Sequence, residues 1–368
     1  MKYITADYIF DGENILNNKI LVFNNEGVLC NIEELNVNEY SNVEYCNGLL
    51  CPAFVNAHVH LEISFLKGKI NRGGGLTKFI EQMRYVNRSN YNIDDIAKAD
   101  RLMFIEGIIA CGDISNQDIS FSVKLNSKIN YYTFIELYSV QENCAYEVFS
   151  KGKQLKQQIA KSSITPHAPY SVSNKLLKLI LQEIMPEDII SIHFKESSNE
   201  KELFYTFQNS FPVVENPSLY FVSLLPRTNN ILFVHNTFIS REELDYIEQN
   251  FNNPYFVLCP NSNIFIENCL PPLFLINKEK NICIGTDSLA SNNSLSIIDE
   301  LKTLSKTYPE VSLLKWLKMS TLNGAKALKM DNVIGSFEIN KKPGAVLIKN
   351  LDLVNLKINN ETYVERII

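Results

Sequence analysis

The chain has 368 residues, with 35 Lys or Arg and 41 Asp or Glu, so its formal net charge at neutral pH is −6. This acidic balance excludes a basic nucleic-acid binder on overall electrostatics. Apolar residues make up 45% of the chain and charged residues 21%, which is enough to bury a large core and excludes a disordered polymer. We therefore expect a soluble globular protein with one large domain and a smaller appendage.

Residues 1–8 include an acid and two tyrosines and lack an apolar stretch that ends in a small-residue cleavage site, so no signal peptide is predicted. The longest apolar runs are only a few residues long, whereas a membrane span needs roughly 20. We expect a cytoplasmic protein without a membrane partner. The eight cysteines contain no Cys-x-x-Cys pair, and we interpret them as buried thiols rather than disulfides or zinc-finger ligands.

Short apolar runs that each end in a polar or charged residue alternate with helix-like stretches through the middle of the chain. The runs predict eight strands, at Phe54–Val59, Gly107–Ile114, Ile129–Leu137, Ser162–His167, Ile189–His193, Asn230–His235, Tyr255–Cys259 and Asn281–Thr286. Helical spacing is found at Gly75–Asn87, Ser173–Ile184, Ser240–Gln249 and Leu295–Ser305. Strands that are apolar on both faces favour the α/β class and a parallel (β/α)₈ TIM-like barrel. An open doubly wound sheet has similar periods and stays an alternative.

Both ends of the chain show short strand patterns and turn signals, at Asp11-Gly12, Asn47-Gly48 and Pro343-Gly344. We predict that residues 1–51 and 331–368 form a small composite β-sandwich and that residues 52–330 form the barrel. A run of three glycines, 73–75, predicts a mobile loop over the barrel mouth.

His58 and His60 lie two residues apart on the first predicted barrel strand. Side chains at this spacing point to the same side of a strand, about 7 Å apart along the backbone. Such a pair suits two imidazole ligands of one metal ion. The alternative is a pair of polar residues on a solvent-facing strand.

Further candidate residues follow the same rule of position. His167, His193, His235 and Asp287 stand at the ends of the fourth, fifth, sixth and eighth predicted strands. The carboxyl ends of barrel strands converge on one site, so these side chains are predicted to face each other around a single pocket.

Glu196 is the third residue after His193 and falls in the following loop. Its carboxylate could lean over a metal ion without binding it. The alternative is that Glu196 begins an acidic surface helix with Glu200 and Glu202.

The strand-end order His58-x-His60, His193, His235 and Asp287 resembles the amidohydrolase superfamily of metal-dependent hydrolases. Several further segments are similar to the branch that contains S-adenosylhomocysteine, guanine and aminodeoxyfutalosine deaminases and triazine chlorohydrolases. These segments are Pro166-His167-Ala168-Pro169-Tyr170, His193-x-x-Glu196-Ser197, Cys259-Pro260-Asn261-Ser262-Asn263 and Thr286-Asp287-Ser288.

The resemblance implies that one divalent metal ion, zinc with iron as the alternative, is held by His58, His60, His193 and Asp287. Superfamily members with two metals carry a bridging Lys or Glu at the fourth strand end, where this chain has Pro166 and His167. A metal ion there would lower the pKa of a coordinated water toward about 7.

The resemblance also implies roles for the remaining residues: Asp287 takes the proton of the water, His235 holds the hydroxide, Glu196 protonates the substrate ring, and His167 contacts substrate. Glu136 and Arg72, in predicted loops, are further candidate substrate contacts.

We therefore predict a hydrolytic deaminase of an amino-substituted heterocycle, with an adenine-bearing nucleoside as substrate. The alternative is hydrolysis of another C–N bond or of a C–Cl bond at the same mononuclear site, and a non-catalytic scaffold is a third hypothesis. The expected partner is a small molecule, and a homodimer is compatible with such a barrel.

Overall fold

The computed structural model describes residues 1–35, 42–86, 91–208, 210–277 and 281–368. In chain order, the strands of these described residues are β1 (Lys2–Phe10), β2 (Ile15–Leu16), β3 (Lys19–Phe23), β4 (Leu29–Glu34), β5 (Val43–Cys51), β6 (Phe54–Val59), β7 (Ile108–Ser115), β8 (Asn130–Leu137), β9 (Ser162–Pro166), β10 (Ile189–Phe194), β11 (Asn230–His235), β12 (Asn253–Leu258), β13 (Ile282–Ile284), β14 (Val346–Lys349) and β15 (Tyr363–Arg366).

The α-helices of the described residues lie mainly between the strands β6 to β13 and after them. They are α1 (Gly75–Tyr85), α2 (Ile93–Ile105), α3 (Phe121–Leu125), α4 (Ala145–Lys156), α5 (Asn174–Glu183), α6 (Glu200–Phe207), α7 (Pro217–Ser223), α8 (Arg241–Asn250), α9 (Pro260–Glu267), α10 (Leu273–Ile276), α11 (Ile297–Thr307), α12 (Leu313–Ser320) and α13 (Leu322–Ala327).

The eight strands predicted for the middle of the chain form two parallel sheets, in the orders β6-β7-β8-β9 and β10-β11-β12-β13. The sheets meet at both edges. Between β9 and β10, the His193 amide donates to the His167 carbonyl at 2.9 Å, and beside β6 the amides of Thr286 and Asp287 both donate to the His58 carbonyl at 3.0 Å. The α/β class is therefore confirmed, and all eight predicted strand positions are found.

The strands are apolar because both of their faces are covered. Every residue of β6, β7, β10 and β11 is buried. The helices pack on them through one apolar stripe each, such as Leu176, Leu177 and Ile180 of α5. Side-chain hydrogen bonds cap the first turns of two of these helices. The Ser173 hydroxyl caps α5, and Ser240 forms a capping box with Glu243 at the start of α8.

The four predicted helices are found with their ends shifted by one or two residues. The helix predicted over Gly75–Asn87 is α1, which ends at Tyr85, and Asn87 lies outside the described residues. None of the described helices is long and apolar enough to cross a membrane. All eight cysteines are unpaired thiols; five are buried and Cys30, Cys144 and Cys269 are half-buried.

Strands from the two ends of the chain share one seven-stranded mixed sheet, in the order β15-β14-β5-β1-β3-β4 with β2 on β1. This sheet has an apolar cluster of its own, which includes Ile4, Leu21, Leu50, Phe337 and Leu347. The two ends of the chain therefore meet in one layer, in line with the short strand patterns that both ends show in the sequence.

One predicted turn is wrong. Asn47-Gly48 does not reverse the chain but lies inside β5, where the register with β1 shifts between Ala6 and Tyr8. Gly48 has a φ of 139°, and its amide donates to the Asp7 carboxylate at 2.7 Å. A Cβ atom at Gly48 would lie 2.5 Å from the Ile348 carbonyl oxygen, so the glycine marks a bulge with a close strand contact.

Gly285 has a similar role beside the first strand of the parallel layer. A Cβ atom there would lie 2.9 Å from both the Cβ and the carbonyl oxygen of His58. The absence of a side chain lets the segment after β13 approach β6, and it brings Asp287 next to the predicted histidine ligands.

Candidate active site

The carboxyl ends of the parallel strands bring four of the five histidines and Asp287 into one cluster. The Nε2 atoms of His58 and His60 are 3.1 Å apart. Asp287 Oδ1 lies 3.3 Å from Nε2 of His60 and 3.7 Å from Nε2 of His58. The rings of His193 and His235 follow, with centroids 5.0 Å and 6.0 Å from that of His58. The predicted convergence of these side chains is therefore what the structure shows.

Hydrogen bonds on the outer side of two rings determine which nitrogen faces the cluster. Nδ1 of His193 lies 3.0 Å from the His167 carbonyl oxygen, and Nδ1 of His235 lies 2.8 Å from Oδ1 of Asn263. Both partners are acceptors, so each Nδ1 carries the hydrogen and each Nε2 keeps its lone pair. Outer partners of this kind orient histidine ligands of metal ions.

The donor atoms have a spacing that fits one divalent ion. Nitrogen atoms of His58, His60 and His193 all lie within 4.8 Å of one another. Two nitrogens bound to one tetrahedral zinc ion lie about 3.3 Å apart, close to the distance between His58 and His60. His58 is completely buried, and its Nδ1 has no hydrogen-bond partner among the described residues, so its Nε2 is the nitrogen engaged in the cluster.

The protonation states also suit a metal ion. Burial lowers the pKa of His60 to about 3 and lowers the pKa values of His193 and His235, so these imidazoles are neutral at neutral pH. Burial acts to raise the pKa of Asp287, but the interaction with the adjacent His58 outweighs it and holds that pKa below its usual value. Neutral nitrogens and a carboxylate oxygen are ligands that zinc accepts.

Asp287 is held in place by two hydroxyl groups. Ser262 and Ser291 donate to its Oδ2 at 2.5 Å and 2.7 Å, which leaves Oδ1 directed at the histidines. The backbone contributes as well, because His235 and Asp287 have φ values of 76° and 56°, a region that non-glycine residues rarely adopt. Such strain is concentrated at functional sites and needs support from the surrounding structure.

Glu196 lies beside His235, with its Oε1 3.6 Å from Nε2 of that ring. Burial raises the pKa of Glu196 well above its usual value, and the charge of Asp287 raises it further. A carboxyl group with a raised pKa keeps its proton to higher pH, so Glu196 is suited to donate a proton. Its side chain is buried, so the interpretation as the start of an exposed acidic helix is wrong for this residue.

A set of buried glutamates supports the loops that carry these groups, and sequence reasoning missed it. Glu200 is 1% exposed, and its Oε1 accepts the Glu196 amide at 2.6 Å. Glu300 accepts the Asn261 amide at 2.8 Å in the same way. The sequence shows only that Glu200 lies in the first turn of a helix that follows a loop of the site. A glutamate at that position is equally typical of a solvent-exposed helix.

A cavity of about 840 Å³ opens from this cluster. Glu136 and His167 line it, as expected for substrate contacts. Glu136 Oε2 accepts from the Asn116 side chain at 3.1 Å, and Nδ1 of His167 lies 2.7 Å from the Ser171 hydroxyl. Arg72 is exposed and is not among the described residues that line the cavity, so the structure does not bring this predicted contact to the site.

The three-glycine loop lies against α9. The Gly73 amide donates to the Phe265 carbonyl at 2.9 Å, and the Leu76 amide donates to the Glu267 carboxylate at 2.7 Å. All three glycines have positive φ values, from 77° to 94°. This turn directs α1 along the cavity, where its Leu76, Phe79, Ile80 and Met83 contribute an apolar wall.

Histidines and a carboxylate at the carboxyl ends of parallel strands, with a glutamic acid of raised pKa beside them, are typical of metal-dependent hydrolases of the α/β class. The sequence profile of the amidohydrolase family matches residues 49–365. The chain belongs to the amidohydrolase family. It is a hydrolase that acts on carbon–nitrogen bonds other than peptide bonds.

Named relatives share most of the chain. An adenosine deaminase of Helicobacter pylori is 30% identical over 323 residues, which are 80% of this chain and 78% of the relative. An aminodeoxyfutalosine deaminase of Nitratiruptor sp. is 27% identical over 351 residues, 89% of this chain and 85% of the relative. The crystal structure of Helicobacter pylori aminofutalosine deaminase in complex with methylthio-coformycin superimposes with a TM-score of 0.80 at 25% identity, covering 95% of this chain and 92% of that one.

Proposed function

We propose that the protein is a metal-dependent hydrolytic deaminase of an adenine-bearing nucleoside. The observation that carries the proposal is the position of the buried Glu196, 3.6 Å from His235 and next to the donor cluster of His58, His60, His193 and Asp287. Deamination of a ring amine needs both a water nucleophile and an acid for the ring nitrogen, and the arrangement supplies a place for each. The names of the relatives, adenosine deaminase and aminodeoxyfutalosine deaminase, support the same substrate class.

We also propose that the two parallel sheets are the halves of one (β/α)₈ barrel spanning residues 52–330. The hydrogen bonds at both sheet edges, from His193 to His167 and from Thr286 and Asp287 to His58, support closure. Residues 1–51 and 331–368 then form the composite terminal domain, for which the seven-stranded sheet is one layer of the proposed sandwich.

The ligand set proposed for a single zinc ion is His58, His60, His193 and Asp287, with iron as the alternative. Glu136, His167 and His193 form a second group of close donors, but Nδ1 of His193 donates to the His167 carbonyl. We therefore assign Glu136 and His167 to substrate binding rather than to a second ion. A divalent ion held by these residues would lower the pKa of a bound water enough to supply a nucleophile near neutral pH.

The side chains of this chain then divide the proton transfers between them. Asp287 accepts the proton of the attacking water, and Nε2 of His235, left as an acceptor by its bond to Asn263, orients that water. Glu196 gives its proton to the ring nitrogen next to the attacked carbon. The hydroxyl proton of the adduct passes through the Glu196 carboxylate to the amino group, and the carbon–nitrogen bond breaks as ammonia leaves and the ring keeps the oxygen as a carbonyl. The proton held by Asp287 then restores the acid form of Glu196.

A panel of adenine nucleosides tests this function. Incubation of the zinc-loaded protein with adenosine, 5′-deoxyadenosine and S-adenosylhomocysteine should convert the ultraviolet spectrum of adenine into that of hypoxanthine and release one ammonia per turnover. The variant Glu196→Gln is the matched control, since it should bind metal and have a kcat lower by orders of magnitude. The proposal is overturned if metal-loaded protein deaminates no adenine compound, and hydrolysis of a chlorinated ring or a cyclic amide instead would establish the alternative bond type.

A further inference from the structure

The side chains that support Asp287 and His235 are neighbours in the chain. Ser262 donates to the Asp287 carboxylate at 2.5 Å. The next residue, Asn263, accepts from Nδ1 of His235 at 2.8 Å. Both supporting residues lie in the first turn of α9, although His235 ends β11 and Asp287 follows β13. A shift of this one turn would therefore displace both groups of the site together.

A single buried carboxylate holds the first turn of α9. Glu300, in the first turn of α11, is completely buried. Its Oε2 accepts the amide of Asn261, the residue directly before Ser262, at 2.8 Å. An amide in the first turn of a helix has no partner within that helix, so a carboxylate beside it both satisfies the amide and fixes the turn.

The same carboxylate also holds the segment that carries Asp287. Its Oε1 accepts from Nδ2 of Asn292 at 2.6 Å. That Nδ2 also donates to the carbonyl of Thr286, the residue before Asp287, at 2.9 Å. Oδ1 of Asn292 accepts the Asn293 amide at 2.8 Å, which determines that the NH₂ end of the side chain faces the carboxylate. The two oxygens of Glu300 thus join the start of α9 to the loop after β13.

We propose that Glu300 is a positioning residue, which fixes Asp287 and His235 relative to each other through the segments that carry or support them. This inference rests on the proposed function, because it assumes that these two side chains accept the water proton and orient the water. Glu300 is not among the described residues that line the cavity, so it acts on the reaction without touching substrate. A displacement of about 1 Å at a reacting group can lower a rate by about 10²-fold, so the loss of this support should appear in kcat rather than in KM.

The test compares variants that differ in the number of acceptor atoms they keep. Glu300→Gln keeps one acceptor oxygen and turns an amide donor toward the other partner, whereas Glu300→Ala removes both acceptors. Asn292→Ala breaks only the link to the Asp287 segment, so it tests the proposal even if Glu300→Ala does not fold. For each zinc-loaded variant, kcat and KM are measured with the best nucleoside of the panel. Zinc affinity is measured by competition with a chelator, and folding and thermal stability by circular dichroism.

Asp100→Asn is the matched control for the loss of a buried carboxylate. Asp100 is 7% exposed and accepts the Tyr131 hydroxyl at 2.7 Å. Tyr131 lies at the amino end of β8, whereas the histidine cluster lies at the carboxyl ends of the strands. This variant should lower thermal stability and leave kcat and zinc affinity unchanged.

We expect kcat to fall by about tenfold in Glu300→Gln and Asn292→Ala and by about 10²-fold in Glu300→Ala, with KM within about twofold of wild type. Zinc affinity should fall by about tenfold or more in Glu300→Ala, because the loss of a group that orients a proposed ligand typically has an effect of about that size.

The outcomes separate this proposal from the proposed function. Wild-type kcat and zinc affinity in folded Glu300→Gln and Asn292→Ala, or equal losses of kcat in the Glu300 variants and Asp100→Asn, overturn the role of Glu300 even if wild type deaminates adenosine. A wild-type protein that deaminates no nucleoside, together with the expected loss of zinc affinity in Glu300→Ala, supports the role of Glu300 in holding the cluster and overturns the proposed reaction.

Discussion

The two ends of the cavity are built differently. At the end with the histidine cluster, hydrogen bonds fix the polar side chains: His193 is fixed by a carbonyl, His235 by Asn263, and Asp287 by two serines. Along α1, the cavity is lined by apolar side chains and one arginine whose described contact is an aromatic ring. The difference indicates that the chemistry depends on many coupled contacts, whereas the substrate range depends on a few side chains that can change independently.

The largest effect on this difference is expected when a proposed metal ligand is removed. His58→Ala should lose metal and turnover together, because His58 is completely buried and its Nε2 faces both His60 and Asp287. Elemental analysis of the purified variant, with circular dichroism to confirm folding, checks the result. Full metal occupancy in a folded His58→Ala protein would show that His58 is not a ligand.

Removing the proposed acid should be nearly as severe but should leave the metal in place. Glu196→Gln keeps the shape of the side chain and loses its proton, so kcat should fall by about 10²–10⁴-fold with normal metal content. Since burial raises the pKa of Glu196, the wild-type rate should decline as pH rises through that pKa and the acid loses its proton. That alkaline decline should be absent from the residual activity of Glu196→Gln, and wild-type turnover in the variant contradicts the assignment.

A smaller effect is expected one step further from the reacting atoms. Glu200 accepts the Glu196 amide, so Glu200→Ala should displace Glu196 and lower kcat by about tenfold, roughly the effect of one hydrogen bond to a charged group. Glu200→Gln keeps an acceptor oxygen and should restore most of kcat. If both variants lower thermal stability but leave kcat and its pH profile unchanged, Glu200 supports the fold and does not position Glu196.

The smallest effect is expected in the apolar wall. Phe79→Ala removes a ring that lines the cavity on α1, so it should raise KM several-fold through lost apolar contact while kcat stays within about twofold. Steady-state kinetics with the best substrate of the panel measures both constants. A large fall in kcat would show that the wall also orients the reacting ring, and that the two ends of the cavity are coupled.

Much of the parallel layer could be predicted because its strands are buried on both faces. An unbroken apolar run such as Ile231–Val234 is typical of a buried strand, and the structure has a strand at the predicted bounds, Asn230–His235. The site followed from the same fact, since a polar residue directly after such a run stands at a strand end. His193 and His235 were found in this way.

Other features lack a local signal. Asn47-Gly48 has the composition of a hairpin turn, and only its pairing with another strand shows that it is a bulge. Arg72 and Arg84 are both arginines near the start of α1 or on it, and the direction of the helix alone decides which one lines the cavity. Glu200 and Glu300 are ordinary helix residues in the sequence, and what packs against them decides their burial: the Ser218 hydroxyl donates to Glu200 and the Asn261 amide donates to Glu300.

The close approach at Gly285 has a consequence for how the protein is made. Asn56 and Thr286, which hydrogen-bond beside the cluster, are 230 positions apart in the chain. Contacts between such distant segments form late in folding because a long loop must close first. A nascent chain on the ribosome therefore contains His58 and His60 long before it contains Asp287. Metal binding by His58, His60 and Asp287 together therefore requires that the last strand of the parallel layer has already packed beside the first.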